Sequence, residues 1–336
     1  MKYRRSEAKD AARAQFRGVW AAITTPFTPE GELDEASLRR NMRYYTGALA
    51  IDGIFCTGTM GEYWALTKEE RKRVVEIVVE EARGKCLTIP HTGHQSAEET
   101  IDLTRHAHEV GADFAIVINP YFPAAKADDA MLFEWFRRVA DKVDIGLWMF
   151  DTRYSGTSLS VELTGRIAEL ENVCGIKCSR PTEHYAAVKR RCADSIVMSH
   201  PSETHLLGLM RDHGQRVHMS SATPYLYQTA TWRPMHDYVE RALAGKFEEA
   251  QKIADELEPV RQVHERWVNG AWDKDQIIGI AQIKAWSEML GMAAGPVRTP
   301  LVDMTAEEKQ AMRGDLDQAG LFRHYAGAAT KQLAAA

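Results

Sequence analysis

The residue of this sequence whose chemistry stands out first is a lysine in an apolar run. Residues 173–179 read VCGIKCS, and in a strand Val173, Gly175 and Lys177 would share one face. A lysine is almost never fully buried without a partner or a role. Burial disfavours the ammonium form and lowers the pKa of the side chain, and a neutral amine attacks carbonyl carbons. The tripeptide GIK alone favours an exposed or salt-bridged lysine. Whether Lys177 is a buried nucleophile therefore depends on the motifs in the rest of the chain.

Two further stretches carry residues that could hold an anionic substrate. Residues 57–62 read TGTMGE, in which the amides around Thr59, with Gly58 and Gly61 on either side, could form a nest for a small anion. A tight turn between a strand and a helix is the alternative. Arg153 follows another apolar run and could clamp a carboxylate through two parallel hydrogen bonds. An exposed loop arginine is the alternative there.

These residues follow short β-rich runs that alternate with helical patterns along the chain. The runs begin at intervals of roughly 20 to 35 residues, which is the size of a βα unit. Several are continuously apolar, as strands of a parallel sheet covered on both faces are. The runs are residues 18–27, 53–58, 87–93, 114–120, 145–150, 173–179, 195–200 and 216–221. Eight such units predict an α/β fold of the (β/α)₈ type, a TIM barrel, whose active site lies at the carboxyl ends of the strands.

A doubly wound parallel sheet is the alternative fold, because strand order is not visible in a sequence. The first run is not followed by the glycine-rich loop of dinucleotide-binding folds, which disfavours this alternative. We expect an N-terminal arm over residues 1–16, the barrel over 17–245 and a C-terminal helical extension over 246–336. The extension is predicted to contain three helices, over residues 246–268, 274–292 and 305–321.

The composition excludes several classes of partner. The chain has 336 residues, a net charge of −5 and scattered basic residues, so we expect no nucleic-acid partner. Its five cysteines indicate a reducing compartment, and with no visible signal peptide a cytoplasmic location is expected. No apolar run reaches the ~18 residues of a membrane helix, so no membrane partner is expected. We expect no metal and no cofactor, because no histidine and carboxylate set has ligand spacing on one helix face.

Taken together, the motifs resemble those of one family. They are GVWAAITTPF at residues 18–27, GTMGE at 58–62, NPY at 119–121, RYSG at 153–156 and GIK at 175–177. In this order and spacing they are similar to the motifs of the dihydrodipicolinate synthase and N-acetylneuraminate lyase family of Schiff-base aldolases. The resemblance extends over about residues 18 to 321.

The resemblance implies a role for each matching residue. Lys177 matches the lysine that forms an imine with the keto group of pyruvate or another 2-keto acid. Thr59 matches a threonine of the proton relay, and the amides around it and Met60 would bind the keto-acid carboxylate. Arg153 would meet the acid group of the second substrate, an aldehyde, and Tyr121 would contact substrate. Family members are commonly dimers of dimers, so a homo-oligomer, either a dimer or a tetramer, is expected.

Departures from the family pattern indicate a different second substrate. We align Trp148 with the strand-five tyrosine that passes protons beside the lysine, and an indole cannot accept a proton. Met60 stands in place of a threonine, Phe122 stands in place of a second tyrosine, and one residue is inserted near Tyr154. We therefore expect Trp148 and Met60 to line an apolar pocket. The predicted acceptor is bulkier or more aromatic than aspartate semialdehyde, as in the hydratase-aldolases of the family.

Three alternatives stay open at this point. A keto-deoxy sugar acid dehydratase would use the same imine and expel water. A metal-dependent aldolase is disfavoured by the lack of ligand spacing, and a non-catalytic keto-acid binder by the retention of Lys177. Without the relay tyrosine another group has to move protons, and the candidates near strand ends are Tyr63, Tyr154, His91 and His218. We also assign His218 to substrate binding.

Overall fold

Eight parallel strands form one barrel in the computed structural model, which describes residues 3–121, 127–152, 155–219 and 222–324. The strands are β1 (Gly18–Ala22), β2 (Gly53–Cys56), β3 (Leu87–Pro90), β4 (Ala115–Ile118), β5 (Leu147–Thr152), β6 (Val173–Ser179), β7 (Val197–Ser199) and β8 (Val217–Met219). They pair in two arcs of four, in the orders β3-β2-β1-β8 and β4-β5-β6-β7.

The two arcs meet at both edges and close the barrel. Between β3 and β4, His91 forms a parallel bridge with Ile116, and the amide of Thr92 donates to the Ile116 carbonyl at 3.0 Å. Between β7 and β8, the amide of Met219 donates to Ser199 Oγ at 2.9 Å. The barrel that the spacing of the runs predicts is thereby confirmed.

Helices cover the outside of the barrel in sequence order. Helix α1 (Ala8–Gln15) precedes β1. The helices that follow β1 to β8 in turn are α2 (Glu35–Arg43), α3 (Lys68–Ala82), α4 (Ala97–Val110), α5 (Asp129–Asp141), α6 (Val161–Glu169), α7 (Thr182–Cys192), α8 (Glu203–His213) and the pair α9 (Thr223–Leu226) and α10 (Pro234–Leu243). No helix in the described part of the chain is long and apolar enough to cross a membrane.

Helix α1 closes the amino-terminal end of the barrel. The ring of Phe16, which follows α1, lies 4.4 Å from the ring of Trp20 and 4.4 Å from that of Trp148. Ala8 and Ala12 on α1 are completely buried. This segment, which we expected to be an arm, is therefore part of the barrel core.

The helical extension contains more and shorter helices than the three that the sequence pattern predicts. It consists of α11 (Phe247–Asp255), α12 (Glu258–His264), a π-helical turn (Glu265–Asn269), α13 (Gly270–Asp275), α14 (Ile280–Met289) and α15 (Ala306–Gln318). The first predicted helix, 246–268, is interrupted because Pro259 lies in the first turn of α12. Proline lacks the amide that would continue a helix, so it favours a new start at this point.

A buried ion pair joins the extension to the barrel. Lys284 Nζ on α14 lies 2.6 Å from Glu62 Oε1, and both side chains are almost completely buried. The amide of Arg298 donates to the other oxygen of the Glu62 carboxylate at 2.8 Å, and the Arg298 guanidinium pairs with Glu70 on α3. The contacts therefore anchor the loop after β2, which carries the GTMGE motif, to α14.

Candidate active site

A cavity of about 610 Å³ lies between the carboxyl ends of the strands and the helical extension. Residues at the ends of β1, β2, β5 and β6 form its inner wall, and residues of α12, α13 and α14 form its outer wall. The inner wall contains Ala22, Phe55, Thr59, Met60, Phe150, Thr152, Lys177 and Ser179. The cavity is thus at the end of the barrel where enzymes of this fold carry out their chemistry.

Lys177 reaches this cavity between two phenyl rings. Its Nζ lies 4.6 Å from the ring centre of Phe55 and 4.9 Å from that of Phe150. Only 5% of the residue is exposed, and this burial lowers the pKa of Lys177 to about 7. An ammonium ion there loses hydration that two ring faces replace only in part. About half of the amine is therefore neutral and nucleophilic near neutral pH.

This pKa predicts the pH dependence of the reaction. Since only the neutral amine can attack a keto group, kcat/KM should fall about tenfold for each pH unit below about 7 and level off above it. The profile is to be measured with pyruvate as the keto acid in buffers of constant ionic strength. A profile that still rises steeply between pH 8 and pH 10 would show an ordinary exposed lysine and would contradict this placement of Lys177.

The structure does not bring Trp148 to the cavity, and this part of the prediction is wrong. Trp148 pairs with Gly175, whereas Phe150 is the residue of β5 that pairs with Lys177. A Cβ atom on Gly175 would lie 2.1 Å from the indole, so the glycine leaves space for the tryptophan. The indole packs against Phe16 towards the amino-terminal end of the barrel. Phe150 is therefore the side chain beside the lysine.

The turn after β2 is held in an unusual conformation. Thr57 and Glu62 at its two ends have positive φ angles of 49° and 54°, which cost non-glycine residues of the order of 1–3 kcal/mol each. Thr57 Oγ1 donates to the His91 carbonyl at 2.9 Å, and Thr25 Oγ1 donates to the Gly61 carbonyl at 2.8 Å. These bonds and the Glu62–Lys284 pair stabilise the strained turn.

Thr59 and Met60 of this turn line the cavity. The two glycines of the motif determine the conformation of the turn. A Cβ atom on Gly58 would lie 2.5 Å from the Phe55 ring, so a larger residue does not fit there. The amide of Gly61 donates to the Gly58 carbonyl at 3.1 Å. Of the amides predicted to bind a carboxylate, that of Gly61 is thus engaged within the turn.

Two other predicted residues are not found in the cavity wall, and a third cannot be located because it lies outside the described residues. Tyr121 lies in a smaller cavity of about 170 Å³ beside Tyr63. His218 lies between Val217 and Met219, which point into the barrel interior, so its ring points to the opposite face of β8. Burial, with the charges of Lys177 and His200, lowers the pKa of His218 to about 3. The third, Arg153, lies outside the described residues, as do Tyr154 and Phe122.

An arginine that the sequence analysis overlooked does line the cavity. Arg180 follows the last residue of β6, and its Nε donates to Asp151 Oδ1 at 2.8 Å. One of its terminal nitrogens donates to the Thr152 carbonyl at 3.0 Å, and its own carbonyl contacts His200 Nε2 at 2.8 Å. Its place directly after a strand is the same signal that singled out Arg153, so the sequence did contain this information.

The outer wall combines charged and apolar side chains of the extension. Arg261 on α12 pairs with Glu203 on α8 at 2.7 Å, and both residues line the cavity. His264 lies beside them, and burial lowers its pKa to about 4, so its ring is neutral at pH 7. Trp272 and Ile278 add apolar surface. The extension therefore shapes the part of the cavity that is distant from Lys177.

The fold and this cavity define a protein of the (β/α)₈ barrel class with a buried lysine in the cavity wall at the carboxyl ends of the strands. The sequence profile of the dihydrodipicolinate synthetase family matches residues 15–319, and the chain belongs to this family. The resemblance inferred from the motifs is thus confirmed, and the protein is a lyase.

Relatives and solved structures agree with this assignment. The chain is 32% identical to a 4-hydroxy-tetrahydrodipicolinate synthase of Methanothrix thermoacetophila, over 89% of this chain and 95% of the relative. It is similar to the crystal structure of dihydrodipicolinate synthase from Aquifex aeolicus, with a TM-score of 0.80, 29% identity and coverage of 91% and 99% of the two chains. It also shares the fold of YagE from E. coli K12, solved in complex with pyruvate, with a TM-score of 0.78, 23% identity and coverage of 91% and 99%.

Proposed function

We propose that the enzyme makes or cleaves a carbon–carbon bond of a pyruvate-derived 2-keto acid through an imine on Lys177, with a bulky or aromatic aldehyde as second substrate. The observation that carries the proposal is the Lys177 amine, which is buried in a cavity wall and has a pKa of about 7. The pyruvate complex of the fold relative YagE supports a keto acid of this kind.

The chemistry follows from the amine. Its lone pair attacks the keto carbon, and the resulting carbinolamine loses water to give the imine. The imine withdraws electrons from C3 of the pyruvate unit. An enamine forms either when C3 loses a proton or when the C3–C4 bond breaks as the C4 hydroxyl gives up its proton and becomes the aldehyde carbonyl. In the cleavage direction the enamine then takes up a proton at C3, and water releases pyruvate from Lys177. In the synthetic direction the enamine carbon attacks the aldehyde, the aldehyde oxygen takes up a proton, and water releases the product from Lys177.

Thr59 and Arg180 are the polar groups proposed to hold the substrates. Thr59 lies in the cavity wall with Lys177, and we assign its hydroxyl to contact the keto-acid carboxylate or to pass a proton. Arg180 also lines the cavity, and we assign its guanidinium, which Asp151 orients, to a second acid group. We also propose that the enzyme works as a homo-oligomer in the reducing cytoplasm, where its five cysteines would stay reduced.

The apolar surroundings of the amine support a bulky partner. Phe55 and Phe150 flank Lys177, and Met60 lies in the same wall. Phe150 has no hydroxyl with which to bind a small polar aldehyde or to pass a proton beside the lysine. An aryl group, in contrast, would replace water on these surfaces, with a gain of about 25 cal/mol per Å² of apolar area buried.

The proposal is tested by comparing two aldehydes in the same assay. The enzyme should combine pyruvate with benzaldehyde at a kcat/KM at least about tenfold above that for aspartate semialdehyde, since burial of an aryl ring contributes about 1.5–3 kcal/mol. It should also release pyruvate from benzylidene-pyruvate after hydration.

Two variants test whether the preference for benzaldehyde depends on a side chain of the cavity wall or on one packed below the cavity. Phe150→Ala should weaken the preference for benzaldehyde, and Trp148→Phe should retain it, because the indole lies outside the cavity. Faster turnover of aspartate semialdehyde than of benzaldehyde by the wild-type enzyme would refute the bulky partner while leaving the imine chemistry in place.

A further inference from the structure

Three side chains of types that can bind metal ions converge on the outer face of the barrel, next to the cavity but not in its wall. Asp151 on β5 pairs in register with Cys178 on β6, and both point away from the cavity because their neighbours Phe150 and Lys177 point into it. His184 lies in the first turn of α7, which covers this face. The ligand atoms of the three residues all lie within 4.8 Å of one another.

Two of these ligand atoms are buried without a hydrogen-bond partner among the described residues. They are Asp151 Oδ2 and His184 Nε2, and Asp151 is completely buried. They lie 3.8 Å apart, which is too long for a hydrogen bond. A carboxylate oxygen and an imidazole nitrogen on one tetrahedral ion are about 3.3 to 3.5 Å apart, given metal–ligand bonds of about 2.0–2.2 Å. The observed separation exceeds this range by a few tenths of an ångström, so a small side-chain adjustment brings both atoms onto one ion.

The other oxygen of Asp151 is already engaged, and this orients the carboxylate. Arg180 Nε donates to Asp151 Oδ1 at 2.8 Å, and the amide of Leu159 donates to the same oxygen at 3.4 Å. Carboxylates that bind metals are commonly fixed in this way by hydrogen bonds to the oxygen that does not bind the ion. Oδ2 is thereby left directed at Cys178 and His184.

We propose that Asp151, Cys178 and His184 form a binding site for a divalent ion of the zinc type. A thiolate, an imidazole and a carboxylate are a ligand set that favours Zn²⁺ or Co²⁺ over Mg²⁺ or Ca²⁺, which prefer oxygen. Carboxylate and thiolate supply two negative charges against the two positive charges of the ion, and Arg180 adds a further positive charge beside the carboxylate. On binding, the Cys178 thiol loses its proton to solvent, so the affinity rises with pH.

The site lies close to the surface and has a place for a fourth ligand. The side chain of His184 is 23% exposed, while its Nε2 is buried and faces Asp151. Three protein ligands leave one position of a tetrahedral ion for water. None of the three residues lines the cavity of Lys177, and the link to that cavity is Asp151, which pairs with Arg180 in its wall. A bound ion would link β5, β6 and α7 just behind the lysine.

Cobalt is the probe for this site, since a Co²⁺–thiolate bond gives a charge-transfer absorption band. The reduced, chelator-treated enzyme should bind one equivalent of Co²⁺ with such a band, and Zn²⁺ should displace it. Cys178→Ser should abolish the band, and His184→Ala should weaken binding at least about tenfold. Cys192→Ser and His213→Ala remove the same residue types from α7 and α8 outside the cluster and should change neither property.

A second readout does not depend on absorption. Zn²⁺ should raise the unfolding temperature of the wild-type enzyme and of Cys192→Ser but not that of Cys178→Ser, because only a folded site binds the ion. The proposal is overturned if saturating Co²⁺ gives no thiolate band, or if the band survives Cys178→Ser. Neither outcome would argue against imine formation on Lys177, because both the absorption band and the unfolding temperature are measured without turnover.

Discussion

Replacing Lys177 by alanine is expected to lower kcat/KM by about 10⁴-fold or more, while the fold is retained. The amine is the group that forms the imine, so its loss removes the covalent step rather than weakening a contact. The truncated side chain only enlarges a cavity that already measures about 610 Å³, so little stability should be lost. Turnover with pyruvate and an aldehyde, together with circular dichroism and the unfolding temperature, measures both parts of this prediction.

Two controls separate the loss of the nucleophile from the loss of a charge. Lys177→Arg keeps a cation at this position but should be as inactive as the alanine variant, because a guanidinium stays protonated. Lys189→Ala removes a lysine of α7 that pairs at the surface with Asp194 and should have normal activity. If Lys177→Ala kept turnover within tenfold of the wild type, the imine mechanism would be wrong.

Replacing Lys284 by methionine is expected to lower the free energy of unfolding by about 3–5 kcal/mol. The change removes the ammonium that lies 2.6 Å from Glu62 Oε1 and donates to the Pro296 carbonyl at 2.7 Å. Glu62 would then remain as a buried carboxylate without its cation. Equilibrium urea unfolding measures the loss, and the Michaelis constant for the keto acid should rise because Glu62 ends the turn that carries Thr59.

An exposed ion pair provides the matched comparison. Lys246 Nζ lies 3.2 Å from Glu249, and about half of each side chain is exposed. Lys246→Met should therefore cost no more than about 1 kcal/mol, as is usual for surface pairs. Equal small losses for both variants would show that the Glu62–Lys284 pair does not hold the extension on the barrel.

The barrel and the position of Lys177 could be predicted from local patterns. Eight β-rich runs at the spacing of βα units are visible without any tertiary information. Seven contain an observed strand, and β5 extends two residues beyond the eighth, 145–150. The period of two along β6 also placed Lys177 on the same face as Gly175, as observed. These features depend on periodicity within single elements, which a sequence displays directly.

The error at Trp148 concerned which residue of β5 lies beside the lysine, and the residue found there is two positions further along the strand. Gly146, Trp148 and Phe150 share one strand face, so alternation alone could not identify which of them lies beside Lys177. Only the pairing of β5 with β6 shows that Phe150 does.

Other features depended on tertiary structure. Both faces of a parallel strand are buried, so the sequence around His218 does not show which face points inward. The outer wall of the cavity comes from α12 to α14, and no local pattern shows where these helices dock. The cluster of Asp151, Cys178 and His184 combines two strands and a helix, so its ligand spacing is not visible along the chain.

Reduction of the imine in place is the most direct test of the proposed chemistry. The enzyme is incubated with pyruvate and sodium borohydride, and its intact mass is measured before and after digestion into peptides. The wild-type enzyme should gain the mass of one reduced pyruvate unit, located on the peptide that contains Lys177, and Lys177→Ala should gain none. A wild-type enzyme that forms no adduct with pyruvate or with larger 2-keto acids, or an adduct located on another lysine, would contradict the proposed role of Lys177.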